Sequence, residues 1–257
     1  MPLEGLGPTT YCMGYWRLPD NAKHPVGHYL ALIPRSLEML RGERLIFFTD
    51  DPSIRQMVET CCKRNAVSVI SLSKEVPDLP AFESAAAIVQ QTALFGSDTE
   101  PPRAFNNEKG LLHYWRDFVG SGPVQYRKIL AIWLSKVLLM HECVVRNPFE
   151  SGHFAWIDAS ISRFNSHRAN WNFVKVADRD GVICHYSSRM RKWGLPLTIN
   201  ASFLKGDSRT WARLAGLYSD ELREAARERY PNDEETILHG VNAKHVTMFS
   251  PIDALPA

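Results

Sequence analysis

The chain has 257 residues, 45% of them apolar and 23% charged, with 30 Lys and Arg against 28 Asp and Glu for a formal charge of +2. That length is enough to bury a sizeable core, and the ordinary apolar fraction with a low net charge excludes intrinsic disorder. It also gives no electrostatic case for a nucleic-acid partner or an anionic membrane surface.

The first residues, Met-Pro-Leu-Glu-Gly-Leu-Gly, lack the basic flank and apolar stretch of a signal peptide. Thr9 to Trp16 is a short β-rich run. Tyr29, Leu30, Ile33, Leu37 and Leu40 then recur at helical spacing and stop at Gly42. Leu45 to Thr49 is a buried-strand pattern closed by Asp50-Asp51-Pro52. Ile54, Met57, Val58 and Cys61 follow at i, i+3, i+4 and i+7, and Val67 to Leu72 is another strand. This βαβαβ order predicts an α/β fold, with a mainly parallel sheet flanked by helices.

Residues 96–107 are polar and carry two prolines, which predicts a surface loop. Helical blocks begin at Leu111 and at Tyr126, the latter running to His141. Phe154 to Asp158 is a strand, and Val182 to Tyr186 and Leu197 to Phe203 are extended. A long helix over 208–230, a short one over 233–241 and a Pro-containing tail complete the chain.

The longest apolar stretch, Ile129 to Met140, is broken by Ser135 and Lys136. It falls short of the roughly 20 apolar residues that a membrane-spanning helix requires. The five cysteines include the adjacent Cys61 and Cys62 but no CxxC pair, so neither a disulfide framework nor a zinc knuckle is legible. These features predict a cytoplasmic protein without a transmembrane segment. No phosphate loop, HExxH or GxSxG elbow is present.

Three features carry chemistry. Asp158 ends an apolar strand, and in open α/β sheets ligands bind at that carboxyl edge; the residue also reads as the cap of the following turn. Lys136 has Ile132, Trp133, Leu139 and Met140 three and four residues away, so its ammonium leaves an apolar helix face. It needs an anionic partner, such as Asp158 or a diphosphate, or a route to water along its stem. Glu234 shares a helix face with Ile237, Leu238 and Val241, placing a carboxylate on the inner side of a helix start. Asn232 and Glu235 have capping-box spacing, and Asp233 suits the helix N-terminus.

The string Trp156-Ile157-Asp158-Ala159-Ser160-Ile161-Ser162-Arg163-Phe164 resembles the Asp-x-Asp strand of nucleotide-sugar glycosyltransferases with the A-type fold. It is most similar to the bacterial HtrL/YibB-like branch, and the likeness runs from about Thr9 to Phe249. The resemblance implies one Rossmann-like domain over residues 1–257. Residues 9–160 would bind the nucleotide-sugar, 161–249 the acceptor, and 250–257 would be a tail.

It also implies transfer of a sugar from a UDP-sugar to a hydroxyl of a glycan or small-molecule acceptor. Thr9, Thr10 and Tyr11 would cradle the base, and Asp50 the base or ribose. Arg163 and Lys244 would face the phosphates, where Lys136, singled out by its apolar helix neighbours and not by the resemblance, would join them. Asp158, with His239 or His245, would hold Mn²⁺ or Mg²⁺. Ser160 stands where the second carboxylate of the motif usually stands, which removes one charged oxygen ligand. Glu234, or Asp233 in second place, would deprotonate the acceptor if transfer inverts configuration; a retaining reaction would leave Glu234 to position substrate. Ala201 to Gly206 resembles the acceptor-side loop. The missing carboxylate keeps open a non-catalytic nucleotide or sugar binder on the same scaffold.

Overall fold

The computed structural model describes residues 8–19, 21, 24–98, 111–166, 172–188, 190–192 and 195–252. Alternating β and α segments open the chain: β1 (Thr10–Gly14), α1 (Val26–Glu38), β2 (Arg44–Thr49), α2 (Pro52–Arg64) and β3 (Ser68–Ser73). Two helices follow, α3 (Phe82–Asp98) and α4 (Leu111–Arg146), before β4 (His153–Ile157) and β5 (Ile183–Ser187). A two-stranded hairpin, β6 (Arg191–Lys192) and β7 (Leu195–Pro196), precedes β8 (Ile199–Asp207). The chain continues through α5 (Ser208–Ala225), α6 (Glu234–Lys244) and β9 (Phe249–Pro251).

Seven strands form one mixed sheet in the order β3-β2-β1-β4-β8-β5-β9. The pairs β3-β2, β2-β1, β1-β4 and β5-β9 are parallel, while β8 runs antiparallel to both β4 and β5. Successive side chains on a strand point to opposite faces, and here both faces are buried. Tyr11, Met13, Leu45, Phe47, Ala155 and Ile157 join one core with residues of α1 and α2. Cys12, Ile46, Phe48, Phe154 and Trp156 join the other, with residues of α3 to α6. This double burial explains why β1, β2 and β4 read as unbroken apolar runs rather than alternating ones.

Local signals set the helix ends. Asp51 caps α2, its carboxylate accepting from the backbone N–H groups of Ser53 and Ile54 at 2.8 and 3.3 Å, and Pro52 occupies the first turn. Within α4, Gly122 has φ 75° and ψ 161°, a conformation open to glycine, and Pro123 restarts the helix. The two helical blocks expected from the sequence are therefore present as two helical segments of α4 that meet at Gly122. Among the described residues no helix is long and apolar enough to cross a membrane.

Several expectations need correction. The expected loop over 96–107 begins inside α3, and from residue 99 onward it lies outside the described residues. α6 is capped by Asp233 with Thr236, which exchange reciprocal hydrogen bonds, and not by Asn232 with Glu235. Ala201 to Gly206 is no loop: it lies within β8, whose Phe203 to Asp207 pair with β4.

Gly206 sits where the sheet crowds. A Cβ there would approach the Val182 carbonyl oxygen to 2.9 Å and the Ile183 side chain to 2.7 Å. Gly206→Ala is expected to cost about 1–3 kcal/mol in urea denaturation, the usual penalty for overpacking; an unchanged midpoint would show that the β5–β8 pair can open at no cost.

Candidate functional site

The alternation of β4 determines where its terminal carboxylate points. Trp156 faces α4, so Asp158, two residues on, keeps to that side. Its backbone N–H donates to the Ser202 carbonyl on β8 at 3.0 Å, and Trp156 Nε1 donates to Asp158 Oδ1 at 3.3 Å. Opposite it on α4, Lys136 emerges from an apolar stripe. Its Nζ lies 2.9 Å from Asp158 Oδ1 and 2.8 Å from Glu234 Oε1 at the start of α6. Arg163 closes the other side of Asp158, with Nη2 3.2 Å from Oδ2. The same guanidinium donates to Ser202 Oγ and Ser160 Oγ, each at 2.6 Å.

These charges are buried: the Lys136 and Glu234 side chains are 7% and 8% exposed. Burial alone would raise the Asp158 carboxyl, but the charges of Lys136 and Arg163 hold it well below the usual carboxylate range. Burial likewise works against the Lys136 ammonium, and Asp158 and Glu234 more than offset it, raising Lys136 above the ordinary lysine value. Glu234 Oε2 is buried without a hydrogen-bond partner, as are the hydroxyls of Tyr126 and Tyr218.

Glu235 turns the other way, toward β8. It accepts from Ser188 Oγ at 2.5 Å, Asn200 Nδ2 at 2.9 Å and the Ala201 N–H at 3.2 Å. Burial, reinforced by the charges of Asp233 and Glu234, pushes its carboxyl up to about 8.

Two cavities meet at this network. The first opens at the carboxyl ends of β1 and β4 and is walled by aromatic side chains, among them Tyr15, Trp16, Tyr29 and Trp156. His24 and His28, their rings stacked with centroids 4.2 Å apart, also line it. β2 and β3 lie beyond β1 on one side and β8 beyond β4 on the other. The cavity thus occupies the switch point where open α/β sheets bind ligands. The second cavity is lined by Met190, Asn200, Ser202, Asp233, Glu234 and Glu235. Trp133, Lys136, Asp158 and Arg163 belong to both.

No protein-family model and no curated protein matches the chain. The site therefore stands on its own geometry.

Of the residues singled out from sequence, Lys136, Asp158, Ser160, Arg163, Asp233 and Glu234 line one or both cavities. The others lie elsewhere. Thr9, Thr10 and Tyr11 are at the amino end of β1, opposite the cavity. Thr9 donates to Asp178, Thr10 hydrogen-bonds Ser151 at 2.7 Å, and Tyr11 packs on Phe173. Tyr15 and Trp16, just past the carboxyl end of β1, occupy the position expected of them. Asp50 directly follows β2 and lines neither cavity. Lys244 pairs with Glu221 and Glu224 at 2.7 and 3.0 Å on an exposed face.

The side chains expected to hold a divalent metal are not assembled. His245 caps the end of α6, and His239 is held low by burial and the nearby charge of Lys192. Both Asp158 oxygens already face cations, and Ser160 Oγ accepts from Arg163. A hard cation needs several oxygens with charge to spare, and among the described residues no group of three or more His, Cys, Asp or Glu is arranged to supply them. The donor set at Asp158 does not fit a metal.

The raised carboxyl of Glu235 links stability to pH. An unfolded Glu235 ionises near 4.5, the folded one near 8. Its contribution is full below pH 4.5 and is lost as pH rises through 8. Between pH 5 and 8.5, above the titration of Asp158, wild-type unfolding free energy should fall by at least about 1 kcal/mol more than that of Glu235→Gln. Parallel curves would show that Glu235 is ionised throughout.

Proposed function

We propose that the chain transfers a sugar from a nucleotide-sugar, of the UDP type in keeping with the resemblance, to an acceptor hydroxyl. One observation carries this reading: two cavities of different character meet at a single ion-paired wall at the sheet's switch point. The aromatic cavity offers faces on which a base or sugar ring can stack. The neighbouring one offers Asn200, Ser202 and carboxylates, the groups that bind sugar hydroxyls, beside the Trp133 ring that both share.

In the reaction, the acceptor oxygen bonds to the anomeric carbon. The bond from that carbon to the diphosphate oxygen breaks, and its electron pair leaves with the diphosphate. The acceptor proton passes to Glu234. That side chain is suited to the task because it lines the acceptor cavity, with Oε1 anchored on Lys136 and Oε2 left without a hydrogen-bond partner. With Glu234 as base, direct displacement from the face opposite the diphosphate inverts the configuration. Asp233, fixed in the cap of α6, is not free to take this role.

The experiment is turnover of a panel of nucleotide-sugars, followed by release of nucleoside diphosphate, with calorimetry of the diphosphate product. Glu234→Gln should lower turnover by about 10²- to 10⁴-fold, the usual contribution of a general base, while affinity for the diphosphate product does not fall, since the variant only removes a negative charge from beside Lys136. Equal loss in both would assign Glu234 a structural role. Binding without turnover of any nucleotide-sugar by the wild type would make the protein a binder, the reading that the fully engaged carboxylate of Asp158 favours.

A further inference from the structure

Building on the glycosyl-transfer reading, we propose that Lys136 and Arg163 receive the donor diphosphate directly, so that donor binding needs no divalent cation. The two side chains stand on either side of Asp158, 2.9 and 3.2 Å from its two oxygens, and both line the aromatic cavity. Asp158 is then a positioning residue: it holds two cations in place before any ligand arrives, so little reorganisation is needed when charge develops on the leaving group.

The charges of the two cavities differ in the sense this requires. Lys136 and Arg163 face the aromatic cavity against a single carboxylate, Asp158. The acceptor cavity sets the same two cations against the carboxylates of Asp158, Asp233 and Glu234. An anion is therefore favoured in the first and disfavoured in the second. Lys136 has three N–H donors, and Asp158 and Glu234 take two of them, leaving one for a phosphate oxygen. The Arg163 guanidinium lies 4.5 Å over the Phe164 ring, which fixes the plane it presents.

Ser160 decides the balance. A carboxylate in its place would set three negative charges against the two cations and supply the second charged oxygen a metal needs. The hydroxyl instead accepts from Arg163 Nη1 at 2.6 Å and adds no charge to a network in which Asp158 and Glu234 already balance Lys136 and Arg163. The departure from the Asp-x-Asp pattern thus marks an exchange of metal for fixed side-chain cations.

Calorimetric titration of the intact protein with UDP and with inorganic pyrophosphate, each in EDTA and in Mn²⁺, tests this. Wild-type Kd values should agree within about threefold between the two conditions. Arg163→Gln, whose side chain is partly exposed, should weaken both ligands about ten- to a hundredfold, the range for one charge-assisted hydrogen bond, with an unchanged circular-dichroism spectrum. Ser160→Asp should weaken binding in EDTA and regain it in Mn²⁺. Wild-type binding that appears only with Mn²⁺, or an Arg163→Gln protein that binds as tightly as wild type, would overturn the inference and leave sugar transfer standing. Absence of binding by UDP, ADP, GDP and pyrophosphate in either condition would remove both.

Discussion

A single ammonium group, buried among apolar side chains and held between two carboxylates, organises this molecule. Lys136 projects from α4 and is held by Asp158 at the end of β4 and by Glu234 at the start of α6. Taking such charges out of water costs several kcal/mol each, and the loss is repaid only where geometry and hydrogen bonding are complete. Asp158 meets that condition through Trp156 and Arg163. Glu234 does so only in part, since one of its oxygens is left without a partner. That incompleteness is what the proposed role of Glu234 as proton acceptor requires.

The rest of the fold holds these three side chains in register. Trp156, Phe154 and Cys12 pack the sheet against the helices that carry Lys136 and Glu234. Trp211, from α5, donates to the Phe154 carbonyl at 3.0 Å and fixes the strand that ends at Asp158. The Asp233–Thr236 cap sets the first turn of α6, so that Glu234 meets Lys136 while its neighbour Glu235 meets β8. Two consecutive carboxylates are thereby given opposite environments, one ion-paired and the other hydrogen-bonded to neutral groups.

Much of this was legible in the sequence, because it rested on local periodicity. The apolar runs at 45–49 and 154–157 signalled buried strands, and four apolar neighbours marked Lys136 as a charge in need of a partner. Ile237, Leu238 and Val241 placed Glu234 on an inner face. What periodicity lacks is distance between segments: Lys136 and Glu234 are 98 positions apart, and nothing local shows that both carboxylates converge on one ammonium. Thr9 to Tyr11 were placed at the ligand because they lie on the first strand. The carboxyl-end rule that located Asp158, applied to β1, points instead past Gly14 to Tyr15 and Trp16. The cap of α6 was misplaced by one residue because Asn232-x-x-Glu235 and Asp233-x-x-Thr236 both fit the pattern, and contacts of Glu235 with β8 decide between them. The helix α3 went unread because Ala85, Ala86 and Ala87 blur the boundary between its faces.

The most direct test of the central claim is urea denaturation at pH 7 of Lys136→Met beside the triple variant Asp158→Asn/Lys136→Met/Glu234→Gln. Removing the ammonium alone strands two buried carboxylates and should cost about 3–5 kcal/mol, whereas neutralising all three should restore more than half of that loss. A single variant within about 1 kcal/mol of wild type, or a triple variant no more stable than the single, would contradict the account.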